Sequence, residues 1–166
     1  MSTSVRSRAA SLAGPERAAW RGLLRAHAGL VKTLDAELEQ VHNLPLSSFE
    51  VLLALDAAPG RRMRMCDLAQ TVLLSRSGMT RLVDRLERDR LVERDSCAQD
   101  ARGSFAVLTQ DGRAKLADAL VTHVDGVRRH FVAHFSRAEL ETLGELLGRL
   151  DAGAGAGCCA GGDGEG

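Results

Sequence analysis

The chain has 166 residues and a formal net charge of zero; 45% of its residues are hydrophobic and only 3% aromatic, with no Tyr. That length fits one domain with a sizeable core. The neutral balance excludes a strongly basic polyanion binder, and no apolar run approaches the ~20 residues of a membrane span.

Charge is unevenly spread. Residues 1–34 hold six basic side chains against one acidic, residues 61–102 ten against seven, and residues 135–166 two against six. Nucleic-acid affinity, if present, is therefore concentrated in the middle of the chain and modest elsewhere. No apolar segment follows Arg6 and Arg8, so a secretory signal is not expected. Cys66, Cys97, Cys158 and Cys159 lack metal-ligand spacing, which fits a reducing, cytoplasmic setting without a metal or other cofactor.

Taken in order, residues 1–14 are rich in Ser, Arg and Ala without periodicity and read as a mobile arm. A long helix starts at Pro15, acceptable in a first turn. Its apolar stripe runs through Trp20, Leu23, Leu24, His27, Leu30, Val31, Leu34, Leu38 and Val41. Such a helix is about 40 Å long, more than a small domain covers, so a second copy of the chain is the expected cover. Leu44-Pro45-Leu46 breaks it. Ser47 and Glu50 have capping-box spacing for a second helix, which stops at Pro59-Gly60. Arg61, Arg62 and Arg64 follow, either phosphate contacts or a solvated loop, with Met63 and Met65 alternating as in a short strand.

Cys66 to Val72 reads as a short helix with Leu68, Ala69 and Val72 inward. About three residues later a second helix starts after Ser75, whose hydroxyl can cap it. In this helix, 76–89, Met79, Leu82, Val83 and Leu86 recur at i, i+3, i+4, i+7. The other face holds Arg76, Ser77, Thr80, Arg81, Asp84 and Arg88. Small residues and Arg forks suit a recognition helix in the major groove, although a solvated amphipathic helix has the same pattern. Leu91–Asp95 and Ser104–Leu108 alternate as strands around a polar loop, 96–103, and so form a hairpin. Thr109 can cap a fifth helix running to about His134, with Leu116, Leu120, Val124, Val127 and Phe131 on one stripe. Ser136 and Glu139 form a second capping box before a helix carrying Leu140, Leu143, Leu146, Leu147 and Leu150. Residues 152–166 are a Gly/Ala-rich stretch that reads as a disordered tail.

Helix, turn, helix and hairpin make a winged helix-turn-helix. Asp67-Leu68-Ala69, the run Thr80 to Glu87, Leu91-Val92-Glu93-Arg94, Asp100-x-Arg102 and Leu108-Thr109-x-x-Gly112-Arg113 together resemble the multiple-antibiotic-resistance-regulator (MarR) family, over roughly residues 16–150. The resemblance implies a mainly α fold with a small β-hairpin wing. The winged helix-turn-helix would span about 46–109 within a domain of 15–151, and the dimerisation helices about 15–43 and 109–151. It also implies a homodimeric DNA-binding regulator, a repressor, with double-stranded DNA carrying a pseudo-palindromic operator as partner. DNA candidates are Ser75, Arg76, Ser77, Thr80 and Arg81 in the recognition helix and Arg102 in the wing, with Asp100 orienting Arg102. A small, often aromatic or anionic effector would sit between the dimerisation helices and the reading head, walled by Trp20, His42 and Phe49. The family pattern usually places Gly before Leu-Val; here Asp89-Arg90 precede Leu91, where a left-handed Arg would cost of order 1 kcal/mol.

Other readings are weaker. Cys66 at a helix N-terminus or Cys97 in the loop could sense redox state, but incidental cysteines explain both. His123, His130 and His134 share roughly one helical face without a completing ligand, so no metal is expected. No catalytic constellation is present, and an enzyme is not expected. The competing reading is a winged helix used only for protein interaction, which would not need Arg81 and Arg102 exposed.

Overall fold

The computed structural model describes residues 12–96 and 104–151. The arm, apart from its last residues, the 97–103 loop and the Gly/Ala tail lie outside the described residues. Two compact units divide the chain, residues 1–126 and 127–166.

In the first unit, α1 (Gly14–His42) is a 29-residue helix with Pro15 in its first turn and Asn43, at φ 48°, as its left-handed C-cap. Only its C-terminal half finds a core: Leu34 and Leu38 are buried, while Trp20, Leu23, Leu24, Val31 and Val41 stay exposed. Next, α2 (Leu46–Ala57) is the central helix, with Phe49, Val51, Leu52 and Leu55 each no more than 1% exposed. Its start differs from the expected capping box. Pro45 holds the cap position in extended geometry, and no side chain of the helix caps it. Instead the Leu46 N–H donates to Asp35 Oδ1 of α1 at 2.7 Å. A proline preset at φ −56° with a carboxylate from a neighbouring helix does the work of the box, and Ser48 turns inward.

Strand β1 (Arg62–Arg64) leads directly into α3 (Met65–Thr71), followed by α4 (Arg76–Arg88). Strands β2 (Val92–Ser96) and β3 (Ser104–Leu108) complete an antiparallel sheet of order β1-β3-β2. The hairpin pairs Val92 with Leu108 and closes at Ser96 opposite Ser104. Leu68, Met79, Val83, Leu86, Val92, Ala106 and Leu108 supply the core beneath the sheet and α4.

Between α4 and β2, Arg90 adopts φ 61°. The left-handed residue that the sequence made awkward is therefore present, and its carbonyl accepts a hydrogen bond from the Thr109 hydroxyl at 2.7 Å. Thr109 also caps α5 (Gln110–His130): its Oγ1 accepts from the Gly112 N–H at 2.9 Å. A Cβ at Gly112 would run into the Leu91 carbonyl oxygen, so this helix start can approach the hairpin only as glycine.

In the second unit, α5 ends at His130, earlier than its stripe suggested, because Phe131 leaves helical geometry (φ −127°) before a 3-10 turn over Val132–His134. The final helix, α6 (Arg137–Asp151), opens on the expected capping box. The Ser136 N–H donates to Glu139 Oε2 at 2.8 Å, and the Glu139 N–H to Ser136 Oγ at 3.4 Å. The Ser136 N–H first, and then the Ser136 hydroxyl, which donates to the same Oε2 at 2.8 Å, hold the Glu139 carboxyl below its usual range. Leu146, Leu147 and Leu150 remain exposed on α6.

Candidate nucleic-acid interface

The turn between α3 and α4 is made by Val72, Leu73 and Leu74. Leu73 takes φ 55° and is 91% exposed, an unusual choice where glycine is the unstrained residue. Its neighbour closes the turn, with the Leu74 N–H donating to the Ala69 carbonyl at 2.9 Å. Ser75 then caps α4 in extended geometry (φ −65°, ψ 154°), its Oγ accepting from the Gly78 N–H at 3.1 Å. Met79, Leu82, Val83 and Leu86 are buried as their spacing required. That leaves Ser75, Arg76, Ser77, Thr80 and Arg81 together on the exposed side. The Ser75 and Ser77 hydroxyls lie 3.3 Å apart, and the Thr80 hydroxyl donates to the Arg76 carbonyl at 3.0 Å. Among the described residues, neither Arg76 nor Arg81 pairs with a carboxylate. The result is a row of small hydroxyl groups with two guanidinium groups, Arg76 in the first turn and Arg81 in the second, an arrangement suited to anionic, acceptor-rich surfaces.

Asp84 does not belong to this face. It is ion-paired with Arg94 of β2, whose guanidinium also donates to the Thr80 carbonyl at 3.3 Å and lies 3.8 Å from Glu87. Further along α4, Arg85 Nη2 donates to Ser48 Oγ of α2 at 3.1 Å, with Ser48 only 1% exposed. Neither partnership was visible from sequence, because both cross between elements distant along the chain. One signal existed: Arg94 shares strand parity with the inward-facing Val92, and a charged residue of that parity needs a partner.

The arginines before α3 are largely engaged. Arg61 pairs with Asp56 at 3.4 Å, and Arg62 with Asp95 at 3.4 Å. Arg62 and Arg64 both lie over the Phe105 ring, 4.2 and 5.3 Å from its centroid. Arg61 is thus tied to α2, and Arg62 reaches across the sheet to Asp95 and Phe105 near the loop end of the hairpin. Asp100 and Arg102, with the rest of the 97–103 loop, lie outside the described residues.

A second cluster joins α1, α2 and α5. His42 Nε2 is 2.8 Å from Thr122 Oγ1. Phe49 packs its ring 4.5 Å from that of His123, tilted by 33°. His123 is half-buried with no partner for Nδ1 among the described residues, and burial lowers its pKa below the ordinary histidine value. On α2, desolvation raises the Glu50 carboxyl, opposed by the charge of His27. The structure thus brings His42 and Phe49 to adjacent residues of α5. It does not bring Trp20 to them, since the helical rise places Trp20 about 33 Å along α1 from His42. Cys66 Sγ donates to Asp67 Oδ1 at 3.3 Å. Among the described residues no group of three His, Cys, Asp or Glu is arranged to hold a metal ion, and no helix is long and apolar enough to cross a membrane.

Residues 42–103 match the model of the MarR family. The chain is 30% identical, over 106 residues, to the homoprotocatechuate degradative operon repressor of Escherichia coli, covering 64% of this chain and 70% of that protein. It superposes on AbsC, a MarR family transcriptional regulator from Streptomyces coelicolor, with a TM-score of 0.80 and 34% identity, over 87% of this chain and 97% of that one. For Sco3205, a MarR family transcriptional regulator of the same organism solved in complex with DNA, the TM-score is 0.82 and the identity 32%, over 88% and 91% of the two chains.

Proposed function

Because the chain belongs to the MarR family of DNA-binding transcriptional regulators, we propose that it acts as a homodimeric repressor, its α4 helices reading successive major grooves of a pseudo-palindromic operator. The observation that carries this reading is the exposed face of α4: Ser75, Arg76, Ser77, Thr80 and Arg81 are exposed above a buried apolar face. Arg76 and Arg81 supply forks for base edges or phosphates, and the short hydroxyl residues let the helix sit deep in the groove. Arg102, oriented by Asp100, enters the flanking minor groove, where narrow A·T-rich DNA concentrates negative potential.

Dimerisation is supported by the apolar side chains that the single chain leaves uncovered, Trp20, Leu23, Leu24 and Val31 on α1 and Leu146, Leu147 and Leu150 on α6. A two-fold dimer places its recognition helices about one DNA turn, ~34 Å, apart. A small aromatic or anionic effector binds where His42 and Phe49 meet α5, with Trp20 a wall residue only if the partner's copy supplies it. The deciding experiment is an electrophoretic shift on the protein's own upstream region against random duplex, with a metabolite panel. Retarded native DNA that is released by one metabolite supports the whole reading. Equal retention of native and random DNA would sink it.

A further inference from the structure

Arg94 belongs to β2, yet its guanidinium meets three groups on the reading helix. Nη2 donates to the Thr80 carbonyl at 3.3 Å and pairs with the Asp84 carboxylate; Nε lies 3.8 Å from Glu87 Oε2. Thr80, Asp84 and Glu87 follow at i, i+4 and i+7, one flank of α4 over two turns. Thr80 is itself on the exposed face beside Arg81. At its other end Arg94 is fixed in the hairpin, paired across the strands with Ala106, two residues before the Ser96–Ser104 closure of the loop. One planar fork therefore spans from the strand that leads into the loop to the helix that carries the exposed donors.

Apolar packing alone would not set that angle. Val92, Leu82 and Leu86 bury well beneath the hairpin, but hydrophobic contact is non-directional and tolerates rotation of a helix over a sheet. A guanidinium with donors in a fixed plane, held by a carbonyl and two carboxylates along one flank, does not tolerate it. The three side chains are also partly open to solvent, at 32% for Arg94, 46% for Asp84 and 43% for Glu87. Such pairs contribute little to overall stability. The arrangement is thus better suited to fixing direction than to holding the fold together.

We propose that Arg94 is a positioning residue for DNA reading: it sets the angle between α4 and the β2–β3 hairpin, so that helix and loop engage one stretch of DNA at the same time. This rests on the reading of α4 and the loop as the DNA-contacting parts.

The test uses the full chain with Arg94→Met, Arg94→Lys, Asp84→Asn and the Asp84→Asn/Arg94→Met double variant. Each is titrated at fixed salt onto the native upstream site, the same site with substituted flanks, and random duplex, and each is melted without DNA. Arg94→Met should bind the native site about 10-fold more weakly and random DNA less than about 2-fold more weakly, with the preference for native flanks lost. Its melting temperature should stay within about 3 °C of wild type. Arg94→Lys should recover part of the affinity, and the double variant should be no worse than the single ones. Equal losses on native and random DNA would make Arg94 a phosphate contact and overturn the proposal. So would a large fall in melting temperature with site preference intact, or an Arg94→Met protein that still discriminates flanks as wild type does. Wild-type protein that fails to distinguish native from random DNA would overturn the underlying reading of α4, a result separate from failure of the Arg94 variants alone.

Discussion

The helices α4 and α1 both leave one face open, and the two open faces ask for different things. On α4 the apolar side is finished within the chain: Met79, Val83 and Leu86 are no more than 1% exposed, and what faces outward is hydroxyl and guanidinium. On α1 the apolar side is unfinished, with Trp20 at 53% and Leu24 at 48% exposed. A completed core with polar groups outward has no apolar surface left to bury, so its open face suits a charged, hydrated ligand. An uncovered apolar stripe on a helix about 43 Å long exposes surface that water disfavours, and another apolar surface is the natural remedy. The same chain thus presents one face suited to a charged ligand and another suited to burial against an apolar surface.

The comparison breaks most sharply if α1 is made to resemble α4. Leu23→Glu/Leu24→Glu places carboxylates in the stripe; buried without partners they would cost several kcal/mol. Light scattering at micromolar concentration should fall from about twice the 17.7 kDa chain mass to the monomer. Operator binding should fall with it, because two linked half-sites become two independent ones. A double variant that remains a dimer would move the interface away from α1. Next in size is the converse change on α4. Arg81→Ala should lose of order 1–3 kcal/mol per half-site and relax specificity at one symmetric position. Arg102→Ala should weaken binding comparably but remove only the preference for A·T-rich flanks, and the two losses should add. Binding of single and double variants to operator variants at fixed salt checks this; if Arg81→Ala weakened native and random DNA equally, Arg81 would be a phosphate contact.

Much of α4 was legible because its information is local. The i, i+3, i+4, i+7 spacing from Met79 to Leu86 and the hydroxyl of Ser75 act within one helix, and the structure places them as read. The capping box at Ser136 and the Thr109 cap are local in the same way. What was missed depends on partners far along the chain. The start of α2 answers to Asp35 rather than to Ser47, Ser48 answers to Arg85, and Asp84 to Arg94. Asp84 has the helical position of a reading residue and is removed from that role only by a strand that folds back beside it. The strain at Arg90 was legible as a cost, but not how the structure accommodates it, which is a carbonyl fixed by Thr109 across the hairpin.

A smaller effect tests whether the α4 face depends on its cap. Ser75→Ala removes the acceptor for the Gly78 N–H and should cost about 1 kcal/mol of stability, whereas Ser75→Gly should cost only a few tenths. Thermal melts of the two variants measure this. If Ser75 also touches DNA, Ser75→Gly should lose operator affinity out of proportion to its small stability loss. Proportionate losses in both variants would leave Ser75 as a cap alone.

The smallest expected effect lies at the junction of α2 with α5. Burial beside Phe49 lowers the pKa of His123, and among the described residues its Nδ1 has no partner to offset that cost when the ring is charged. Between the lowered folded value and the ordinary value of about 6.5, the unfolded chain binds more protons than the folded one. Stability from the neutral ring is therefore complete above about pH 6.5 and is lost as pH falls toward the folded value. The other groups near this junction are His42, hydrogen-bonded to Thr122, and His27 with Glu50, so the control must isolate His123. His123→Gln keeps a polar side chain without a titrating ring. The fall in melting temperature between pH 7.5 and 5.5 should be larger in wild type than in His123→Gln. An equal pH response in the two proteins would show that His123 is not the source of the acid sensitivity.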